Sequence, residues 1–151
     1  MIENNEVEVR EIDYHSVEYI QEMELRNRVL RIPLGMSLYD ENLEKEEHDV
    51  HIGAFINKQL VGVLILTKLN DTDVKMRQVA VDETYRSRKT GSKMVDFAEE
   101  YSKNMGYATM VLNARKTAVP FYEKLEYEKM GDEFLEINIP HYKMIKNLIK
   151  E

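Results

Sequence analysis

Arg86, Arg88, Lys89 and Lys93 crowd into eight consecutive positions of a chain whose formal net charge is −7. They lie in the run Val79-Ala80-Val81-Asp82-Glu83-Thr84-Tyr85-Arg86-Ser87-Arg88-Lys89-Thr90-Gly91-Ser92, which leads from an apolar strand pattern into a helical one. A helix start presents unpaired backbone N–H groups and the positive end of the helix dipole, which together suit phosphate. Gly91 removes a side chain where the backbone can approach a pyrophosphate, and the cations add charge. The same residues also suit a solvated cationic helix start, with Gly91 serving packing.

Other positions carry titratable or polar groups of interest. His141 follows Pro140, which limits the backbone before it, and an imidazole titrates near neutrality. It reads either as a base or as a structural histidine satisfying a loop carbonyl. Asn113 ends a strand pattern and is either a ligand or a strand-terminating turn residue. Tyr122, on a short amphipathic segment, reads on its own as packing. His48, Asp49 and His51 cluster at a strand start, but alternation puts His48 and His51 on opposite faces. That arrangement predicts solvated loop charge and no metal. The absence of cysteine excludes disulfides, thiolate metal sites and a cysteine nucleophile.

The elements that must position these groups follow from periodicity and punctuation. Val7 to Ile12 alternates as a strand. Ser16 is an N-cap for a helix to about Leu30, with Val17, Ile20 and Met23 towards the core. Pro33 and Gly35 end it, and an acidic stretch runs from Asp40 to Asp49. HIGAFI and LVGVLILT flank Asn57-Lys58 as a hairpin, and Val74 to Val81 forms the next strand. A helix from about Lys89 to Met105 carries Met94, Phe97, Ala98 and Tyr101 at helical spacing, with Gly106 at its C-cap. Tyr107 to Asn113 is a strand, Ala118 to Leu125 a short helix, and Tyr127 to Gly131 and Tyr142 to Ile145 are closing strands. This order predicts an α/β domain over residues 1–151 with one central sheet.

The segments QVAVDETYRSRKTGSKMVDFA and LNARKTAVPFYEKLEY together resemble the GNAT superfamily of N-acetyltransferases. The resemblance implies a mixed, mostly antiparallel sheet of about six to seven strands flanked by helices. It implies that the family's Arg/Gln-x-x-Gly-x-Gly/Ala turn, here Arg86-Ser87-Arg88-Lys89-Thr90-Gly91 and on to Ser92, holds the pyrophosphate of acetyl-CoA. Lys89 stands where the first glycine belongs, which limits positive φ there, and Glu126 replaces the glycine of the Tyr-x-x-x-Gly-Phe motif. By the same resemblance, backbone groups of Val79, Ala80 and Val81 bind pantetheine and acetyl, Asn113 hydrogen-bonds pantetheine, and Tyr122 protonates the departing thiolate. The strand before the turn has no carboxylate, which leaves His141 or water as the base. The ending Phe134-x-Glu136-x-x-Ile139-Pro140-His141-x-x-Met144 resembles one bacterial subgroup.

Direct acetyl transfer to a primary amine in a ternary complex is the expected activity. A non-catalytic acyl-CoA-binding module is the alternative that Lys89 and the missing carboxylate keep open. The acidic balance argues against broad nucleic-acid binding. The longest apolar run, Leu60 to Leu66, is too short for a bilayer, and the N-terminal residues lack a signal-peptide pattern. A cytoplasmic protein is expected, and the resemblance implies a homodimer.

Overall fold

The apolar alternation either side of Asn57-Lys58 becomes strands β2 (Val50–Ile56) and β3 (Gln59–Lys68). Both turn residues have positive φ, 50° and 67°, the type I′ geometry that matches strand twist. The structure, a computed structural model, describes residues 6–149, and the side chains of Ser87 and Arg88 lie outside the described set. The other strands are β1 (Glu8–Ile12), β4 (Asp73–Val81), β5 (Thr109–Arg115), β6 (Glu128–Glu136) and β7 (Ile139–Asn147). The helices are α1 (Val17–Arg26), α2 (Thr90–Asn104) and α3 (Val119–Lys124). The strands form one mixed sheet in the order β1-β2-β3-β4-β5-β7-β6. β4 and β5 are parallel, while β1–β2, β2–β3, β5–β7 and β6–β7 are antiparallel.

The chain divides into two compact units. The first comprises Met1–Thr67 and Gln78–Ala98. Its core gathers Ile12, Tyr19, Leu25, Phe55, Leu60, Val63 and Ala80, with Met23 packed against it. Gly62 in β3 lets the start of α2 come close: a Cβ there would lie 2.8 Å from Met94 Sδ and 3.4 Å from Thr90 Cγ2. Within the same unit Gln78 takes φ 55°, a left-handed kink inside β4 immediately before Val79.

Helix α1 starts as the sequence predicts, with Ser16 Oγ accepting from Tyr19 N. Its buried face is different. Val17 and Ile20 are 71% and 63% exposed, while Tyr19, Glu22, Leu25 and Arg26 are buried. The expected apolar face is displaced because the charges of Glu22 and Arg26 find partners inside the unit, as described below. After Arg26 the helix loosens into a π turn over Asn27–Arg31 and a short 3-10 turn, ending at Gly35 with φ 72°.

The second unit comprises Lys68–Arg77 and Glu99–Glu151. The β4–β5 ladder covers Asp73↔Thr109, Val74↔Met110 and Lys75↔Val111. Strands β6 and β7 are longer than the sequence predicts and meet at Ile137-Asn138, both with positive φ. Helix α3 closes with Tyr127 N donating to Tyr122 O at 3.0 Å across Glu126, whose φ is 74°. Helix α2 closes identically, Tyr107 N to Ser102 O at 3.0 Å, across Gly106 with φ 95°. Both are Schellman ends, and the residue at the left-handed position is ordinarily glycine. At α3 a glutamate fills it.

Candidate active site

The turn between β4 and α2 lies in the first unit. Asp82 N donates to Val61 O at 2.8 Å, and Asp82 Oδ1 accepts from Thr84 N at 3.0 Å, opening a 3-10 segment over Glu83–Arg88. Arg28 pairs with the other carboxylate oxygen at 3.0 Å. The Thr84 N–H and the Arg28 guanidinium hold Asp82 below the usual carboxylate range against the opposing effect of partial burial. Its negative charge is thus already balanced beside the prospective phosphate site.

Lys89 ends the 3-10 segment at φ 59°, ψ 23°. A lysine limits the turn to a conformation that a residue other than glycine tolerates, and Lys89 sits in the small left-handed well open to L-residues. The next turn is pinned from within, since Thr90 is fully buried and its Oγ1 donates to Tyr85 O at 3.1 Å. Lys93 N closes the first helical bond, onto Lys89 O at 3.1 Å. Thr90, Gly91 and Ser92 form the first turn of α2, where N–H groups have no partner four residues back within the helix and suit an anion. Arg86 donates through Nε to Val81 O at 3.2 Å and remains exposed, as do Lys89 and Lys93. The expected contributions of the Ser87 and Arg88 side chains lie outside the described residues.

Two left-handed positions now carry residues other than glycine where the motifs have glycine. Such a conformation costs about 1–2 kcal/mol for an L-residue, partly offset by glycine's larger unfolded-state entropy. Lys89→Gly and Glu126→Gly are each expected to raise stability by about 0.5–1 kcal/mol. Denaturant midpoints unchanged or lowered in both variants would overturn that expectation.

Asn113, Tyr122 and His141 lie in the second unit. Tyr122 is 7% exposed, its ring edge-on to Phe121 and to Tyr127 at 5.0 and 5.8 Å. Burial pushes its phenol up to about 12, so the group keeps its proton well above neutral pH. Asn113 Nδ2 donates to Glu136 Oε1 at 3.2 Å. His141 is buried, its ring stacked near Phe134, with Nδ1 2.7 Å from Ile139 O. A carbonyl only accepts, so Nδ1 carries a hydrogen and the neutral ring keeps its lone pair on Nε2. Glu136 Oε2 is 3.5 Å from that nitrogen. Sequence reasoning quoted Glu136 without assigning it a role. Its position immediately before a two-residue turn, on the face that diagonally meets His141, was the available signal.

A second polar centre is buried in the first unit. Arg26 donates to Glu22 at 3.0 Å and to both oxygens of Glu46 at 2.8 and 2.7 Å. Tyr19 Oη adds a bond to Glu46 at 3.1 Å. His51 Nδ1 lies 2.7 Å from Glu22 Oε2, and Nε2 lies 2.9 Å from Glu46 O. The expectation that the His48–His51 segment is solvated loop charge fails for His51, which is fully buried; His48 is exposed. Ligand atoms of Glu22, Glu46 and His51 lie within 4.8 Å of one another, close enough to hold a metal ion. Arg26 already places a cation between the two carboxylates, and both ring nitrogens are engaged. The pair Glu22 and Arg26, four apart in a helix, was the signal in the sequence.

Residues 33–148 match the family model described as Acetyltransferase (GNAT) domain. The N-acetyltransferase YjcF of Bacillus subtilis (strain 168), itself uncharacterized, is 30% identical over 105 residues, covering 69% of this chain and 74% of YjcF. Among solved structures, an aminoglycoside 6'-acetyltransferase type Ii superposes with a TM-score of 0.81 at 22% identity, over 95% of this chain and 99% of its own. An aminoglycoside 6'-N-acetyltransferase complexed with coenzyme A gives 0.78 at 18% identity, over 95% and 98%.

Proposed function

We propose that this chain, which belongs to the GNAT acetyltransferase family, binds acetyl-CoA at the turn from Tyr85 to Ser92 and acetylates a primary amine by direct attack. It is an acyltransferase, and acetyl transfer to an amine is the general reaction. The observation that carries the cofactor assignment is the start of α2. Thr90, Gly91 and Ser92 form its first turn, Lys89 turns the backbone just before them, and exposed Arg86, Lys89 and Lys93 belong to the same stretch of chain. That set fits a pyrophosphate.

When bound, acetyl-CoA supplies a thioester carbonyl open to nucleophilic attack and a thiolate leaving group. Backbone groups of Val79, Ala80 and Val81 hold the pantetheine arm and the acetyl oxygen. His141 Nε2 takes the proton of the attacking amine, because Nδ1 is already committed to Ile139 O. Tyr122 gives its phenolic proton to the leaving sulfur. Asn113 gives one amide N–H to Glu136, and its other N–H and its Oδ1 are the groups that hydrogen-bond pantetheine. The ending around Ile139-Pro140-His141 supports membership of the corresponding bacterial subgroup.

An acetyl-CoA consumption screen over small amines, polyamines, aminosugars and peptides tests this reading, with coenzyme A binding measured separately. Turnover with at least one amine class is expected. Tight binding with no turnover across the panel would replace the enzyme by an acyl-CoA-binding module, and absence of binding would remove the cofactor site.

A further inference from the structure

The two-residue turn at Ile137-Asn138 folds β6 back on β7 so that Phe134 pairs with His141 and Glu136 with Ile139. Glu136 is therefore the diagonal neighbour of His141 on one face of the hairpin, within reach for long side chains. Both Glu136 oxygens are used. One accepts from Asn113 Nδ2 at 3.2 Å, and the other lies 3.5 Å from His141 Nε2. The opposite ring nitrogen is fixed on Ile139 O at 2.7 Å. His141 is thus held at Nδ1, and an anion stands near Nε2, the nitrogen that gains a hydrogen when the ring is protonated.

We propose that Glu136 is a positioning residue for His141, anchored by Asn113 and stabilising the imidazolium that forms when Nε2 takes a proton. The inference rests on the base role given to His141 above. In the step, the amine's lone pair forms the bond to the acetyl carbon, its proton passes to the Nε2 lone pair, and the carbon–sulfur bond breaks with its electron pair leaving on sulfur, which takes the Tyr122 proton. Glu136 neither gains nor loses a proton. The positive charge created on the ring sits beside a carboxylate whose orientation is already set, so little reorganisation accompanies the transfer. A buried histidine with only the Ile139 carbonyl would have its tautomer fixed but no partner for that charge.

Four proteins test this: wild type, Glu136→Gln, His141→Gln and the double variant. Each is assayed by release of free thiol from acetyl-CoA, with water and with the best amine of the screen as acceptor. Glu136 is 43% exposed, so the isosteric change is expected to leave the unfolding midpoint and the KM for acetyl-CoA unchanged. The expected loss in kcat is about ten- to a hundredfold, part of the effect of a general base. His141→Gln is expected to lose at least as much, and the double variant no more than His141→Gln alone, because Glu136 acts through the histidine. Wild-type kcat in Glu136→Gln, or multiplied losses in the double variant, would overturn the positioning role. Full activity in His141→Gln would instead remove the base assignment, and the role of Glu136 with it.

Discussion

Arg26→Met is expected to lower the free energy of unfolding by about 3–5 kcal/mol, the range for removing one partner of a buried ion pair. The guanidinium is fully buried and supplies three hydrogen bonds to Glu22 and Glu46, at 3.0, 2.8 and 2.7 Å. Methionine fills much of the volume but leaves the carboxylates of Glu22 and Glu46 inside the first unit without the guanidinium charge. Replacing Glu22, Arg26, Glu46 and His51 together with apolar residues of similar size is expected to cost far less, since no orphaned charge remains. Urea denaturation of the single and the joint variants separates the cases. A single variant within about 1 kcal/mol of wild type would show that the cluster contributes little.

The same cluster gives stability a pH dependence with a defined sign. Burial favours the neutral imidazole of His51, yet the Glu22 carboxylate and the Glu46 carbonyl outweigh it and raise the histidine above its ordinary value. Geometry agrees, because both ring nitrogens face acceptors. Folding therefore takes up a proton at His51. Its contribution is complete below about pH 6.5 and is lost as pH rises through the folded value. Glu46 acts oppositely: burial opposes its ionisation, but Arg26 and Tyr19 hold it low. Its contribution is present above the ordinary glutamate range and is lost as pH falls.

Tyr122→Phe is expected to reduce kcat by about 10²–10³-fold while leaving coenzyme A affinity within a factor of about three. The ring is buried against Phe121 and Tyr127, so the packing survives and only the proton donor goes. Because burial pushes this phenol up to about 12, the acid stays protonated through mildly alkaline conditions. The rate is expected to show no loss attributable to Tyr122 below about pH 10. Full turnover in the phenylalanine variant would assign the thiolate's proton to solvent.

Local chemistry was legible where local chemistry decides. Asn57-Lys58 between two apolar runs fixed the hairpin, Ser16 capped α1, and Gly106 ended α2, each within a few residues of its cause. The inward face of α1 was not legible. Val17 and Ile20 fit the apolar period, but the helix turns Glu22 and Arg26 inward because partners 20 and 29 residues away, Glu46 and His51, neutralise them. Nothing in a helical period encodes such partners. The sequence predicts a strand only over Tyr127 to Gly131, whereas β6 runs on to Glu136; it is an edge strand, largely exposed, and register with β7 carries it. At the candidate site the turn proposed to take phosphate stands out in the sequence as charge plus one glycine. The link from Asn113 through Glu136 to His141 depends on pairing between β5, β7 and β6, which spacing alone does not specify.

Lys89 has a consequence for binding as well as for stability. Glycine at that position roams both halves of backbone space, and a ligand that needs one conformation must freeze the rest. A lysine has far fewer conformers to lose, and here the left-handed one is already adopted at φ 59° beside the Thr90–Tyr85 bond. The entropic toll of ordering the turn is therefore taken largely during folding, before any polyanion arrives. This turn is preorganised by the very substitution that departs from its family's pattern.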